Sequence, residues 1–189
     1  SLVYQFFSDL FMSISKITKS LESSKDIKFP PVHLWNPELC IGQQISINRE
    51  GEWFYNKSII KNQKLVNLFA SVLRKDDDEY FLVTPSEKVP VEVEIAPYMI
   101  IDFKYNENTI ELTTNLNYSF ELDQPESMRL IDLEGITLPL IKVRDNLEGF
   151  FSRSVYYKII DFALEANHVN NGILLLESNS NFYPVGKIA

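Results

Sequence analysis

Hydrophobic positions in this sequence change their spacing along the chain, and these changes predict its elements. Between Gln63 and Leu73 apolar side chains recur at i, i+3, i+4, i+7 and i+8, which is typical of a helix that faces a core. The same spacing returns between Tyr156 and Leu164 and predicts a second helix. The positions are Leu65, Leu68, Phe69, Val72 and Leu73 in the first stripe, and Tyr156, Ile159, Ile160, Ala163 and Leu164 in the second.

Strands are predicted around these helices, where apolar and aromatic residues form short runs. Gly51 lies between two such runs and predicts a hairpin turn. The acidic run Asp76–Glu79 is typical of a solvated loop that ends the first helix. Asp145 and Glu148 have the spacing of a capping box, which predicts that helix already begins near Leu147. Gly149 weakens the join to the later part, so two short helical pieces are the alternative. The predicted strands are QISI, EWFY, YFLVTP, KVPVEVE, YMIIDFKY, TIELTTN, MRLIDL, ILLLE and FYPV.

The N-terminal stretch predicts an amphipathic helix whose apolar side docks against the rest of the protein. Its apolar face comprises Leu2, Phe6, Leu10, Ile14 and Ile17. Contact of this face with a membrane surface is the alternative. The stretch has no uninterrupted apolar run of about 18 residues, so we do not expect a membrane-spanning helix there. SSKDIKFPP, at residues 23–31, is typical of a linker.

Two stretches of the chain share one order of features. Residues 64–91 and 155–185 each contain an amphipathic helix, a polar gap, an apolar strand, a polar turn and a Pro-Val pair. Residue identity between them is low, so a chance match of a common helix-then-hairpin unit is the alternative. We predict an α+β fold with two similar helix-plus-antiparallel-sheet units, at residues 30–96 and 97–189. An N-terminal helix and linker at residues 1–29 precede them, and we expect a cleft between the units.

Composition and charge narrow the classes of partner. The chain has 189 residues, of which 45% are hydrophobic, enough for one globular domain or two small ones. Its net charge of −8 argues against a nucleic-acid polymer, because neutralising phosphates requires a basic face. A small anion needs only two or three convergent cations. Cys40 is the only cysteine, which excludes an intrachain disulfide and makes a reducing cytoplasm the expected location.

Several stretches carry a resemblance to a known family. PPVHLWNPELC, EGEWFYNKSII, LVNLFASVLRKDDDEYFLVTPSEKVPVEVEIAPY and VRDNLEGFFSRSVYYKII, in this order, resemble a bacterial family known as domain of unknown function, number twelve eighty-five. The resemblance covers residues 30–186. It implies a duplicated α+β fold whose C-terminal half is loosely similar to pleckstrin-homology domains. It also implies a nucleotide-like ligand at the interface of the two domains and a role in signal transduction.

The sequence departs from the family pattern at two turns. Ile41 separates Cys40 from Gly42, where family members tend to have Cys-Gly directly. Asp145 and Asn146 stand where the family tends to have Gly-Gly. The side chains of Asp145 and Asn146 would intrude on any ligand that the backbone approaches at this second turn.

Catalytic signatures are absent from the sequence. It has no GxSxG, P-loop, GxGxxG or HExxH motif. His33 and Cys40 lie seven apart in one extended stretch, where they would rarely face each other, so we expect Cys40 to be a buried apolar filler. Nothing matches a zinc-ligand cluster or a calcium loop. We therefore predict no catalytic residue, metal or cofactor, and an enzyme is the less expected class.

Arg144, Arg153 and Tyr157 are the candidate ligand-binding residues of the second unit. Arg144 follows a strand, and Arg153 stands where the second helix begins, beside free backbone N–H groups. An arginine fork at a helix N-terminus suits a phosphate or a carboxylate. Tyr156 lies on the core stripe, which leaves Tyr157 to face a cleft. The alternative is that both arginines pair with neighbouring acids in a structural network.

Lys88, Glu87 and Trp35 are the candidates of the first unit. Glu87 and Lys88 stand where a hairpin emerges, so Lys88 either supplies a further cation or lies at an exposed hairpin tip. Trp35 lies in a WNP turn, where it either stacks on a planar ligand or packs in the core. These residues predict a ligand-binding or regulatory protein for a small anionic, nucleotide-like molecule. A protein-interaction module without such a ligand is the alternative function.

Overall fold

The structure is a computed structural model that describes residues 2–21 and 29–188. The chain divides into two compact units. The first comprises positions up to Asn48 together with Glu52–Glu94, and the second comprises Arg49–Gly51 together with the positions from Ile95 onward. Three residues of a loop in the first half of the chain therefore belong to the second unit.

The first unit has a six-stranded sheet with two α-helices. The strands are ordered β3-β2-β1-β6-β5-β4, and neighbours are antiparallel except β1 and β6, which are parallel. The elements are α1 (Leu2–Leu21), a 3₁₀ turn (Val32–Leu34), β1 (Ile45–Ile47), β2 (Trp53–Tyr55), β3 (Ser58–Ile59), α2 (Gln63–Ala70), β4 (Leu73–Asp76), β5 (Glu79–Val83) and β6 (Lys88–Val93).

The second unit has a six-stranded sheet, one α-helix and a three-stranded antiparallel sheet. The larger sheet is ordered β10-β11-β12-β7-β8-β9, and the smaller one β13-β14-β15. The elements are β7 (Tyr98–Asn106), β8 (Thr109–Thr114), β9 (Ser119–Glu121), β10 (Met128–Leu133), β11 (Ile136–Arg144), β12 (Leu147–Phe151), α3 (Arg153–Ala166), β13 (Val169–Asn170), β14 (Ile173–Ser178) and β15 (Asn181–Lys187).

The two six-stranded sheets have the same strand order. Each sheet joins two three-stranded antiparallel meanders through one parallel pair, which is β1 with β6 in the first unit and β7 with β12 in the second. The predicted α+β fold with two similar units is confirmed. The two predicted helix-then-hairpin stretches play different parts, however. The meander after α2 completes the first six-stranded sheet, whereas the meander after α3 forms the separate small sheet.

Buried apolar residues form the core of each unit. In the first unit α1 packs against α2, and Leu10 and Ile14 of the predicted apolar face are fully buried. The side chains of Leu2 and Phe6, and residues 23–28 of the predicted linker, lie outside the described residues. In the second unit the hydroxyl of Ser178 donates a 2.6 Å hydrogen bond to the carbonyl of Leu122. Because Ser178 is in β14 and Leu122 directly follows β9, this bond ties the small sheet to the larger one.

The start of α3 differs from the prediction. Residues Leu147–Phe151 form β12, which lies between β11 and β7 in the sheet, instead of the first turn of a helix. Asp145, with a φ of 48°, belongs to the turn before that strand. The helix is capped by Ser152, whose hydroxyl accepts a 3.4 Å hydrogen bond from the N–H of Val155. Burial between two neighbouring strands outweighs the local capping signal.

The end of α2 also differs from the prediction. The helix stops at Ala70, and Leu73 already belongs to β4. The acidic run is therefore a tight turn between β4 and β5, with Asp76 and Glu79 paired across the two strands. Val72 and Leu73 are buried as the stripe predicts, but as part of the turn and the strand.

Candidate functional site

The second unit contains a pocket of about 500 Å³, within the range of small-molecule sites. Its apolar wall comes from the loop before β7 and from strands of the six-stranded sheet: Ile95, Met99, Leu133, Ile136, Leu138, Phe150 and Phe151. Its polar lining comes from loops, a turn and the start of α3: Arg49, Glu50, Glu134, Ser152 and Arg153. The pocket thus has the mixed character of a site for a small organic molecule.

The apolar wall is an extension of the core of the second unit. Phe150 belongs to a buried cluster with Ala96 and Leu140, against which Ile95 and Met99 pack. In the sheet register Phe150 lies opposite Leu140 on one side and opposite Met99 on the other. Strands β7, β11 and β12 each have a neighbour on both sides, so the part of the wall that they supply is held in place by the sheet.

Asn115 fixes the loop that carries Arg49 and Glu50. Its side chain donates a 3.3 Å hydrogen bond to the carbonyl of Gly51 and accepts a 3.0 Å bond from the N–H of Met99. Its own N–H donates a 2.9 Å bond to the carbonyl of Met99. One residue therefore connects the loop at positions 49–51 to the strand that forms part of the wall.

The charged lining residues differ in their partners. Arg49 forms a 3.5 Å ion pair with Glu134, and both side chains are largely exposed. Arg153 is the first residue of α3, and its Nε donates a 3.4 Å hydrogen bond to the hydroxyl of Tyr157, one helical turn later. The guanidinium of Arg153 also lies 5.7 Å from the centre of the Tyr157 ring. Among the described residues, no carboxylate forms an ion pair with Arg153.

Arg144 does not line this pocket. It is buried, and its Nε donates a 2.8 Å hydrogen bond to the hydroxyl of Tyr98, which is also buried. Its Nη1 lies 3.4 Å from a carboxylate oxygen of Asp145. Burial raises the pKa of Tyr98, and the charge of Arg144 partly opposes that effect. The sequence left open, as the alternative to ligand binding, that Arg144 serves a structural network. Its contacts with Tyr98 and Asp145 are of that structural kind.

Lys88 belongs to a charged cluster in the first unit. Its Nζ lies 3.0 Å from Asp76 and 4.1 Å from the centre of the Phe81 ring. Arg74 donates two 2.9 Å hydrogen bonds to the same carboxylate. Arg74 also donates bonds of 2.7 Å and 2.6 Å to the carbonyls of Val32 and Trp35. Lys88 and the segment of Trp35 are thus brought together, and Trp35 itself is half-buried.

The pKa of Asp76 reflects this cluster. The hydrogen bonds from Arg74 hold the pKa of Asp76 below its usual value, and Lys88 adds to the effect. The predicted solvated acidic loop is therefore wrong for Asp76, which is the centre of an ion-pair cluster. Asp77 and Asp78 remain exposed in the turn.

Glu87 lies in the turn before β6, at the side of the first unit where α1 docks. Burial raises the pKa of Glu87, and the charge of Asp9 on α1 raises it further. A second pocket of about 460 Å³ lies beside this turn and is lined by Asp9, Lys16 and Ser86 among others. Among the described residues, the lining of this pocket contains two oppositely charged side chains, both on α1, and no arginine.

The structure thus brings Arg153 together with Tyr157, and Lys88 together with the Trp35 segment, each within one unit. Arg49 was missed by the sequence analysis, because a single arginine in a polar hairpin loop has no distinguishing signal. The sequence could not predict the apolar wall either, since its members come from four strands and a loop.

Among the described residues, no three His, Cys, Asp or Glu side chains are grouped for a metal ion. None of the described helices is long and apolar enough to cross a membrane.

Comparisons with known proteins identify relatives of both halves. The family described as "Domain of unknown function (DUF1285), N-terminal domain" matches residues 30–96. The one described as "Protein of unknown function (DUF1285), C-terminal domain" matches residues 97–185. A comparison with curated proteins finds no match.

Two crystal structures are similar to this chain. The first is a DUF1285 family protein from Silicibacter pomeroyi DSS-3, 29% identical with a TM-score of 0.73, and the match covers 91% of this chain and 95% of that one. The second is a DUF1285 family protein from Shewanella baltica OS155, 30% identical with a TM-score of 0.50, and the match covers 62% of this chain and 90% of that one.

Proposed function

This chain belongs to the DUF1285 family, and we propose that it is a ligand-binding protein that holds a small organic anion in the pocket of its second unit. The proposal narrows the ligand-binding class that the sequence predicts. A nucleotide-like ligand, the likeness to pleckstrin-homology domains and a role in signal transduction stay predictions of the family resemblance.

One observation carries the proposal: the apolar pocket is lined at the start of α3 by Arg153, an exposed arginine whose partner is a tyrosine instead of a carboxylate. Arg129 of the same unit, by contrast, donates two hydrogen bonds to the carboxylate of Glu148. The guanidinium of Arg153 retains donors for a carboxylate or phosphate group of a ligand. The partial positive charge of the helix N-terminus acts in the same direction.

The proposal also accounts for the surrounding residues. A bound anion would bring its organic part against Phe150, Met99 and Leu138, where burial of apolar surface adds affinity. Tyr157 would keep the arginine side chain extended along the helix, since their contact is a hydrogen bond combined with a ring contact. Binding of this kind requires no catalytic group.

Thermal stability in the presence of small anions tests the proposal. A panel of organic carboxylates, nucleotides and phosphorylated metabolites is added to the full chain, and the unfolding temperature is measured. A ligand at about 100 times its dissociation constant stabilises the folded state by about 2.7 kcal/mol. We expect at least one member to raise the unfolding temperature of the wild-type chain.

Two variants show whether the effect comes from this pocket. Arg153→Gln removes the cation that lines the pocket, and Lys158→Gln removes an exposed cation from the same helix outside the pocket lining. We expect Arg153→Gln to abolish or strongly reduce the shift and Lys158→Gln to retain it. If no anion shifts the wild-type chain, or if both variants respond alike, the proposal is wrong.

A protein-interaction module is the second candidate function, and one feature of the first unit favours it. Leu34, Leu39 and Ile41 expose 68%, 51% and 82% of their surface within eight residues of chain. Contiguous patches of exposed apolar residues are typical of contact surfaces, and these three residues are close in the chain. The partner that can be tested directly is a second copy of this chain. Analytical ultracentrifugation would show self-association that the Leu39→Ser and Ile41→Ser variants lose, and a monomer at all concentrations would contradict this candidate.

A further inference from the structure

We infer that the anion of the second-unit pocket is a monocarboxylate with an aliphatic body, and this inference rests on the function proposed above. The wall and the charges of the pocket together favour an amphiphilic molecule of this class over a nucleotide. The reasons lie in the hydrogen-bonding capacity of the wall, in the balance of charge, and in the places from which polar and apolar residues come.

The wall offers a ligand few hydrogen-bonding partners. The backbone of Phe150 lies in the middle of the sheet, opposite Leu140 and Met99 in the register. The N–H and the carbonyl of Met99 are both bonded to Asn115. A nucleobase carries donors and acceptors around its edge, and burial against this wall would leave them unpaired at a cost in free energy. An aliphatic body has no such groups and gains from burial there.

The charges of the lining favour a ligand with one negative charge. Two arginines and two glutamates are among the described residues that line the pocket. Glu134 pairs with Arg49, and Glu50 lies next to that arginine in the chain. A polyphosphate would bring several negative charges close to these two carboxylates, and like charges repel. A single carboxylate is matched by the fork of Arg153.

Polar and apolar lining residues come from different parts of the unit. The polar ones belong to the loop at positions 49–51, the turn after β10 and the start of α3. The apolar ones come mainly from strands β7, β10, β11 and β12. A molecule with one charged group and one apolar body fits such a lining, because both parts have residues of their own kind to contact.

Titration calorimetry with carboxylates of increasing chain length tests the inference. The full chain is titrated with butanoate, octanoate and dodecanoate below the concentrations at which micelles form, and with adenosine monophosphate for comparison. Affinity should rise about four-fold for each methylene buried, which corresponds to about 0.8 kcal/mol, until the pocket is filled. Octanoate should bind more tightly than the nucleotide.

Two pairs of variants test which residues contact the apolar body of the ligand and which contact its carboxylate. Ile136→Ser removes an exposed apolar side chain from the pocket, and Ile101→Ser removes an exposed isoleucine of β7 that does not line it. We expect Ile136→Ser, but not Ile101→Ser, to weaken the dependence on chain length. Arg153→Gln should lower the affinity for every chain length by a similar factor of about ten, and Lys158→Gln should not.

The outcomes separate this inference from the function on which it rests. Affinity that rises with chain length and depends on Arg153 and Ile136 supports the inference. Binding of nucleotides that depends on Arg153, without any effect of chain length among the carboxylates, overturns the inference and leaves the proposed function in place. Affinity that rises with chain length but is unchanged in both pocket variants also overturns it, since the ligand then binds elsewhere. No binding of any anion overturns both.

Discussion

Arg144 donates a 2.8 Å hydrogen bond from its Nε to the hydroxyl of Tyr98, and only 8% and 1% of these two residues are exposed. The bond joins the end of β11 to the start of β7, two strands that flank β12 in the sheet. A buried guanidinium requires such partners, because an unpaired charged group in the interior is costly. The contact therefore stabilises the second unit at its central strands.

The Tyr98→Phe variant should destabilise the second unit. It removes the acceptor of Arg144 Nε and leaves a buried charged donor without that partner, at an expected cost of about 1–3 kcal/mol in the free energy of unfolding. Urea denaturation measures this loss. Tyr157→Phe is a matched control, since its hydroxyl also accepts from an arginine but is exposed. Equal effects of the two substitutions would contradict the structural role assigned to Tyr98.

The Asp76→Asn variant should destabilise the first unit in a pH-dependent way. Hydrogen bonds from Arg74 lower the pKa of Asp76 below its ordinary value of 3.8. A carboxylate with a lowered folded pKa contributes stability that is fully present above its unfolded pKa and lost as the pH falls through the folded pKa. Because more than a third of the Asp76 side chain is exposed and solvent screens its ion pairs, we expect the substitution to cost only about 0.5–1 kcal/mol at pH 7 and progressively less below about pH 4.

Denaturation of wild type and variant from pH 7 down to pH 2.5 checks this expectation. Asp78→Asn is the control, because Asp78 lies in the same turn and is exposed. If the difference between wild type and Asp76→Asn does not shrink at low pH, the ion-pair cluster is not the source of the stability.

The Glu87→Gln variant should stabilise the first unit at neutral pH. Burial and the charge of Asp9 raise the pKa of Glu87 above its ordinary value of 4.5, so folding favours its protonated form. The stability from such a group is fully present below the unfolded pKa and is lost as the pH rises through the folded pKa. An uncharged glutamine escapes that loss, so the unfolding temperature should rise at pH 7 and the gain should fade towards pH 4.

Thermal unfolding at both pH values measures the effect of this substitution. Glu79→Gln is the control, since it removes a negative charge from an exposed position of β5 in the same unit. A gain at pH 7 that is the same for both variants would point to the net charge of −8 as the cause instead of the site of Glu87.

The Gly51→Ala variant should disturb the loop that lines the pocket. Gly51 has a φ of 75°, and an added Cβ would lie 2.9 Å from Nδ2 of Asn115 and 3.4 Å from Cβ of Met99. The positive φ alone costs about 1–2 kcal/mol for alanine, and the close contact adds to this. Gly135→Ala is the matched control in the same unit, with a φ of 81° and nothing within 4 Å of the added atom.

Chemical denaturation compares the two alanine variants, and the difference between them isolates the contact with Asn115 and Met99. We expect Gly51→Ala to be the less stable, and also to bind an anion of the pocket more weakly, because it moves Arg49. Equal stabilities would mean that the loop is not held in the way described.

The sequence predicted most elements but misplaced two boundaries, for a physical reason. Helical and strand periodicities are local, so α2, α3 and most strands were foreseen from the spacing of apolar residues. The capping-box pattern at Asp145–Glu148 is local as well, yet β12 gains more from pairing with β11 and β7 on both sides. The run after Ala70 likewise folds into a hairpin, because pairing of β4 with β5 satisfies its backbone while Val72 and Leu73 are buried.

At the candidate site, too, local sequence patterns identify candidate residues, but tertiary contacts decide the role of each residue. Arg144 and Arg153 are both candidates in the sequence, the first at the end of a strand and the second where the second helix begins. The fold buries Arg144 beside Tyr98 and leaves Arg153 exposed at a pocket. Arg49 reaches the same pocket through Asn115, which holds a loop 64 positions away in the chain.

What the sequence determined by itself was therefore the α+β class of fold and the residue types suited to an anion, whereas the repeat that the structure shows is the shared strand order of the two six-stranded sheets. The class of fold and the residue types follow from periodicity, composition and side-chain chemistry, which need no knowledge of distant contacts. The tertiary structure alone decided which arginine is buried and which lines a cavity, and which strands supply an apolar wall. Such outcomes depend on the desolvation and pairing of groups that are far apart in the chain, and no local pattern of residues encodes them.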